Sequence, residues 1–312
     1  MSWLLKSHSR RLLSILVVCT VILAGCSSPQ ADRPSPATAR ETTEPARQSE
    51  ARDGLSLYER RLMRILERER ALKARAMEAD DLLEGDLRQS FQRIAREYES
   101  VIADNPREVE PLLLYGKFLD WFGDRDGARD QFITAYRLAP ETAVVQQQLG
   151  VYFAEEGDFG RALAHYLRAI ELEPEQAVYH ADLGELLYAF SPGFIQENIF
   201  DPDTIDAMML EAFREAARLE PGSLVFQYRL GEAYYDVDNT PWKEALDHWE
   251  NLQQRDDLTN MQRDAVRLHR ARCLHALRRH DEAETVALDV SHADLQQTRN
   301  DLLIEIRVAR ED

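Results

Sequence analysis

Catalytic signatures are what this chain most lacks. Its 312 residues hold no glycine-rich phosphate loop, no His-Glu-x-x-His and no Gly-x-Ser-x-Gly, which removes the usual nucleotide, zinc-hydrolase and serine-hydrolase readings. Cysteine is scarce, with only Cys19, Cys26 and Cys273, and no Cys-x-x-Cys pair is possible. Net positive charge is absent. The formal charge is −18, and nucleic-acid binding needs clustered cations, so no nucleic-acid partner is expected. No apolar run reaches the ~20 residues that span a bilayer. The mostly apolar run Leu12 to Leu23 is only 12 residues long.

What the chain does have is a period. Gly116, Gly150 and Gly184 lie 34 apart, as do Ala128 and Ala162, Phe132 and Tyr166, Ala135 and Ala169, and Pro140 and Pro174. The next copy keeps the order at a step of 47, from Gly184 to Gly231, Ala169 to Ala216, Tyr166 to Phe213 and Pro174 to Pro221, so one 13-residue insertion sits inside an intact unit. A unit this small cannot bury its apolar face alone, so neighbours must stack.

The clearest copy reads Gln146-x2-Leu149-Gly150-x2-Phe153, Ala162-x3-Tyr166, Pro174. It resembles the tetratricopeptide repeat, W-x2-L-G-x2-Y, A-x3-F, P, with only the Trp slot departing. The resemblance implies an all-α fold, a right-handed α-solenoid of stacked antiparallel helix pairs. Gly150 and Ala162 are then small where the two helices of a unit approach. Phe153 and Tyr166 fill the space between layers. Gly157-Asp158 makes the reversal, and Pro174 ends the second helix.

The N-terminus has its own logic. Lys6, Arg10 and Arg11 precede the short apolar run, which ends in Leu23-Ala24-Gly25-Cys26. A run of this length with small residues behind it fits a secretory signal. The last four residues resemble the lipobox of bacterial lipoproteins. That resemblance implies lipid on the Cys26 thiol and cleavage before it, with an ordinary signal cut near Ala24 as the alternative. Ser27 after the cysteine resembles the outer-membrane sorting class. The expected location is the cell envelope, anchored in the outer membrane and facing the periplasm. Cys273 is then the one thiol left, and the exported body relies on packing without an intrachain disulfide.

Residues 26–54 read as a disordered tether. Ser27 to Gly54 carries four prolines and no large apolar residue, with ends roughly 30 Å apart by random-coil scaling. From Leu55 the spacing turns helical through Leu62, Ile65, Leu66 and Leu72. A second helix is expected over Asp86 to Ala103, making 55–106 a degenerate first pair. The solenoid follows over 107–290, and a capping helix near Ala293 to Arg310 presents Leu295, Leu302, Leu303 and Ile306 on one side. The insertion, about 191–206, is expected to begin where Ser191-Pro192-Gly193 stops a helix and to end at an N-cap on Asp203 or Thr204. Its Phe194, Ile195, Ile199 and Phe200 either pack back on the solenoid or meet a partner.

Charge is unevenly spread. Shedding the three cations of residues 1–25 takes the chain to −21, yet Arg52 to Glu78 holds eight basic residues against five acids. That helix either faces anionic head groups or an acidic partner, or is a solvated face laced by i,i+4 pairs. In the repeat family the first helix of each unit lines the concave surface. The corresponding slots here are Glu110, Leu113, Lys117, Asp120 and Trp121; Gln147, Val151 and Glu155; Glu185 and Tyr188; Tyr228, Glu232, Tyr235 and Asp236; and Arg272 and His275. Aromatics among carboxylates suit a peptide or helix with basic and apolar side chains. Glu185 and Glu232 are expected to touch that partner without supporting the fold. His269 and Cys273, at i and i+4 with His275 and His280 nearby, are the best metal-like grouping, but no carboxylate completes a set and no cofactor is expected. Cys273 reads as a small buried residue. The resulting expectation is an envelope-anchored interaction scaffold and not an enzyme. The alternative is a ligand-binding or enzymatic protein with its site in the groove beside the insertion.

Overall fold

The computed structural model describes residues 55–77 and 85–311, all helix and connection with no strand among them. The expected signal segment, the lipidation site Cys26 and the tether lie outside the described residues. Two compact units meet in sequence at Glu156/Gly157.

In the first unit, α1 (Leu57–Met77) and α2 (Gly85–Asp104) pair, followed by α3 (Glu110–Trp121), α4 (Arg125–Leu138) and α5 (Ala143–Glu155). Each helix packs on its sequence neighbour. α1 starts at a capping box: Glu59 N–H donates to Ser56 Oγ at 3.1 Å, and Ser56 N–H donates back to Glu59 Oε2 at 2.6 Å, satisfying two otherwise orphaned donors. The centre is aromatic. Phe91 stacks on Phe118 at 5.1 Å, Tyr98 stacks on Tyr115 at 5.4 Å, and Phe122 tilts against both Phe91 and Phe118.

The second unit runs through α6 (Phe159–Leu172), α7 (Ala177–Gln196), α8 (Pro202–Leu219), α9 (Leu224–Ala233), α10 (Trp242–Gln253), α11 (Asn260–Ala276) and α12 (His280–Leu288). A 3-10 turn, Ala293–Leu295, leads into α13 (Gln296–Glu311). α13 closes the stack with Leu303 and Ile306 buried, and Leu303 joins a cluster with Ala271 and Ala287.

The periodic residues recur in the same structural places. Ala128, Ala162, Ala245 and Ala283 are fully buried, and so are Ala135, Ala169 and Ala287, with Ala216 at 1% exposure. The carbonyls of Ala135, Ala169 and Ala216 accept the C-cap amides of α4, α6 and α8, one residue before Pro140, Pro174 and Pro221. A Cβ on Gly116 would enter the Phe132 ring; the same holds for Gly184 with Phe213 and Gly231 with Trp249. Gly157 turns with φ +79°, and Asp158 caps α6 by accepting the Arg161 N–H. The same device sits 34 residues earlier at Gly123 (φ +84°) and Asp124.

The insertion departs from its expected form. It is not a loop; it lengthens both helices of its hairpin, giving α7 20 residues and α8 18. Ser191-Pro192-Gly193 does not stop α7. The helix kinks at Phe190 (φ −113°, ψ 15°) and continues to Gln196. Pro192 falls in the first turn of the resumed segment, where its missing donor costs nothing. The cap of α8 is Asp201, not Asp203 or Thr204. Its carboxylate accepts from Thr204 N at 3.0 Å and Thr204 Oγ1 at 2.7 Å, and Pro202 takes the favourable N1 position. Phe194 is fully buried against Phe159 and Phe200, and Gly193 is small because Phe159 fills the space a Cβ would need.

Candidate functional site

The groove slots fall into the two units. In the first, Arg125 gathers Asp120 at 4.0 Å and Glu155 at 2.5 Å. Burial raises the Asp120 carboxyl, with Arg125 and Lys73 opposing. Burial and then repulsion from Asp120 raise Glu155, against the pull of Arg125. The Lys73 ammonium lies 5.3 Å from the Trp121 ring centre, a cation–π contact. Glu110 accepts from the Tyr58 hydroxyl at 3.3 Å. Lys117 and Val151 are half-buried on α3 and α5. Leu113, at 7% exposure, is core. Gln147 has no exposure at all and accepts from the neighbouring Gln148 amide at 3.0 Å, so it cannot present itself to a partner.

The second unit brings more of the predicted residues together, around two side chains that the slot pattern missed. The first is Arg229 on α9. Its Nε donates to Glu185 of α7 at 2.6 Å and its Nη1 to Asp236 at 3.1 Å. Its guanidinium lies over the Phe213 ring at 4.1 Å and the Tyr188 ring at 4.7 Å. Glu185 is only 8% exposed. Contrary to expectation it is an internal counter-ion and not a surface contact, because a buried guanidinium needs a paired charge. Glu232 and Asp236 are the carboxylates of this group that reach solvent, and Asp236 is held by Arg229. Partial burial raises its carboxyl; Arg229 opposes this, and Asp236 and Glu185 add to it. The signal for Arg229 was its place in the repeat. The equivalent positions are Leu114, Gln148 and Asp182, all buried, so an arginine there requires an internal acid.

The second side chain is His269 of α11. Its ring stacks on Trp249 of α10 at 4.2 Å and 7°, and on Tyr235 at 5.8 Å and 12°, with Tyr228 edge-on at 6.4 Å. Burial, and then the Arg272 charge, push this imidazole down to about 4. Arg272 covers the outer face of the cluster, 4.2 Å from the Tyr235 ring centre. The Tyr235 hydroxyl meets Cys273 Sγ at 3.3 Å, and Tyr228 donates to the Gln262 carbonyl at 2.9 Å. Burial pushes the Tyr228 hydroxyl up to about 12. The His269 ring therefore spends its faces, and the Cys273 thiol its sulfur, on protein neighbours. His275 pairs with His280, Nδ1 to Nδ1 at 3.2 Å. Among the described residues no group of three or more His, Cys, Asp and Glu is placed to hold a metal ion.

α7, α9 and α11 are the first helices of three successive hairpins. With the turn that follows α9 they present half-buried Tyr188, Tyr228 and Tyr235 beside the exposed groups Glu232 and Arg272.

Comparison with solved structures places this architecture. PilW, a widely conserved type IV pilus biogenesis factor, matches with a TM-score of 0.51 over 81% of this chain and 99% of its own, at 12% identity. The C-terminal part of a TPR repeat-containing protein from Cytophaga hutchinsonii matches at 0.50 over 78% of this chain and 80% of its own, at 13% identity. No family model matches the chain, and no curated protein does. The fold is that of the tetratricopeptide-repeat proteins.

Proposed function

We propose that this protein is an interaction scaffold of the bacterial envelope, anchored by lipid on Cys26, that holds a protein partner across the first-helix layer of its second unit. One observation carries the reading: Tyr188 on α7, Tyr228 on α9 and Tyr235 in the turn just after α9 each have only part of the side chain covered, and Glu232 of α9 and Arg272 of α11 stand exposed beside them. Rigid aromatic surface flanked by charge is how extended segments are held at low entropic cost. A partner segment with basic and apolar side chains fits Glu232 and the tyrosines, and the repeat fold provides an extended face for it. Support for the anchor is the Leu23-Ala24-Gly25-Cys26 pattern behind a short apolar run. Ser27 after the cysteine, which resembles the outer-membrane sorting class, supports placement in the outer membrane facing the periplasm.

A photo-crosslinker at position 232 in intact cells tests the groove, and labelled palmitate tests the anchor. The expected results are a discrete protein adduct, and a label that Cys26→Ser abolishes. Glu232→Lys should weaken the adduct, carried by a crosslinker at Arg272 instead, with melting unchanged. Glu185→Lys should lower melting, because it strands Arg229 without its counter-ion. A properly folded chain that yields no protein adduct from either position sinks the scaffold reading.

A further inference from the structure

The groove between α1 and α2 reverses the acidic balance of the chain. Arg61, Arg64, Arg68 and Arg75 recur at helical spacing along one stripe of α1, which places them on one face. Two clefts of about 190 and 200 Å³ run beside this stripe, both lined by Arg68. α2 adds Arg93 to the rim, and the floor is apolar: Ile65 and Val101 in one cleft, Leu72 and Ile94 in the other. Five guanidinium groups thus line the pair of clefts, against one lining carboxylate, Glu97. Two of the five are matched internally. Arg61 pairs with Asp104 at 2.6 Å, and Arg68 with Glu97 at 2.5 Å. Arg64, Arg75 and Arg93 are exposed, and no acid pairs with them among the described residues.

We propose that this groove docks on the phosphate head groups of an anionic bilayer, the surface beside which Cys26 would hold the chain. The guanidinium fork matches phosphate oxygens two at a time, and an exposed arginine loses little hydration on meeting them. Position supports the same occupant. α1 begins 31 residues after Cys26, and no conformation of that length separates the two by more than roughly 110 Å. Charge sets the orientation. A chain of net charge −18 is repelled on balance from anionic lipid, so within the first unit the arginine-lined α1/α2 edge is the side that turns toward the membrane. The bilayer role rests on the envelope-anchored reading; the basic groove does not.

Residues 27–312 contain every described helix and no lipid acceptor, so vesicle sedimentation of this chain tests the groove apart from the anchor. Binding to phosphatidylcholine vesicles containing phosphatidylglycerol is expected at low salt, with little binding to pure phosphatidylcholine. It should fade as salt rises past about 0.1 M, where screening shortens to roughly 10 Å. The triple variant Arg64→Gln, Arg75→Gln, Arg93→Gln should bind on the order of 100-fold more weakly and melt at the wild-type temperature. Equal binding to neutral vesicles, unchanged binding of the triple variant, or no binding at low salt each overturns the proposal. An acidic protein as the true occupant would show as the last of these. Palmitate labelling at Cys26 reads out separately, so loss of the label with vesicle binding intact removes the anchor and leaves the groove.

Discussion

His269 shows how much of a residue's chemistry the fold decides. The sequence pairs it with Cys273 at i,i+4, a spacing shared by ligand pairs and by ordinary helix neighbours. In the structure its ring lies flat on Trp249, a residue 20 positions away. The stacking could not be read from spacing, because it needs α10 and α11 side by side. It has a consequence in pH. The buried imidazole is pushed down to about 4, below the ~6.5 of an exposed histidine. The folded state therefore holds this ring neutral while the unfolded chain takes up a proton. Its contribution is complete above pH 6.5 and is lost as pH falls toward 4. Wild type should lose roughly 3 kcal/mol more over that interval than His269→Phe, which has no proton to bind. Urea unfolding of both proteins at pH 7 and pH 4.5 measures the difference, and parallel losses would mean that water reaches the ring.

At the scale of helices, what was legible is what repeats. Glycine recurring at one slot marked where the helices of a hairpin approach; that a ring 16 to 29 residues on fills the approach is what the structure adds, with Gly116 on Phe132, Gly184 on Phe213 and Gly231 on Trp249. The 13-residue insertion was not legible in the same way, since only one copy carries it and Pro192 reads equally as a helix stop or a first-turn residue. Slot arithmetic failed for a related reason at Gln147 and Glu185. A position's number within the repeat says which way it points, but not whether the next helix already occupies that space. The glycine contacts give a paired test. Gly231→Ala drives a methyl into the Trp249 ring and should cost about 1–3 kcal/mol. Gly222→Ala, with nothing within 4 Å of its added carbon, should stay within about 0.5 kcal/mol of wild type. Denaturant midpoints decide it; equal changes at both sites would mean that the Trp249 ring yields to the added methyl and that the close approach carries no cost.

Across the whole chain, the period that exposes the repeat also hides where the structure divides. The spacing of 34 runs unbroken from Gly116 to Gly184, yet the boundary between compact units falls at Glu156/Gly157, inside the clearest copy. Sequence similarity between copies reports shared packing rules, whereas the division depends on how many contacts cross each junction, and no single copy encodes that number. Stacked repeats touch only their neighbours, so their stability behaves as a sum of local and nearest-neighbour terms. A local injury should then stay local. Gly231→Ala weakens the α9–α10 hairpin, and its effect should reach α11, which shares the Trp249–His269 stack with α10. It should not reach α2 and α3, whose core is the separate aromatic cluster of Phe91, Tyr98, Tyr115 and Phe118. Native-state hydrogen exchange resolves this by segment. Faster exchange is expected over 224–276, with protection over 85–121 retained. A uniform rise over both segments would show one cooperative core, and the nearest-neighbour description would fail for this chain.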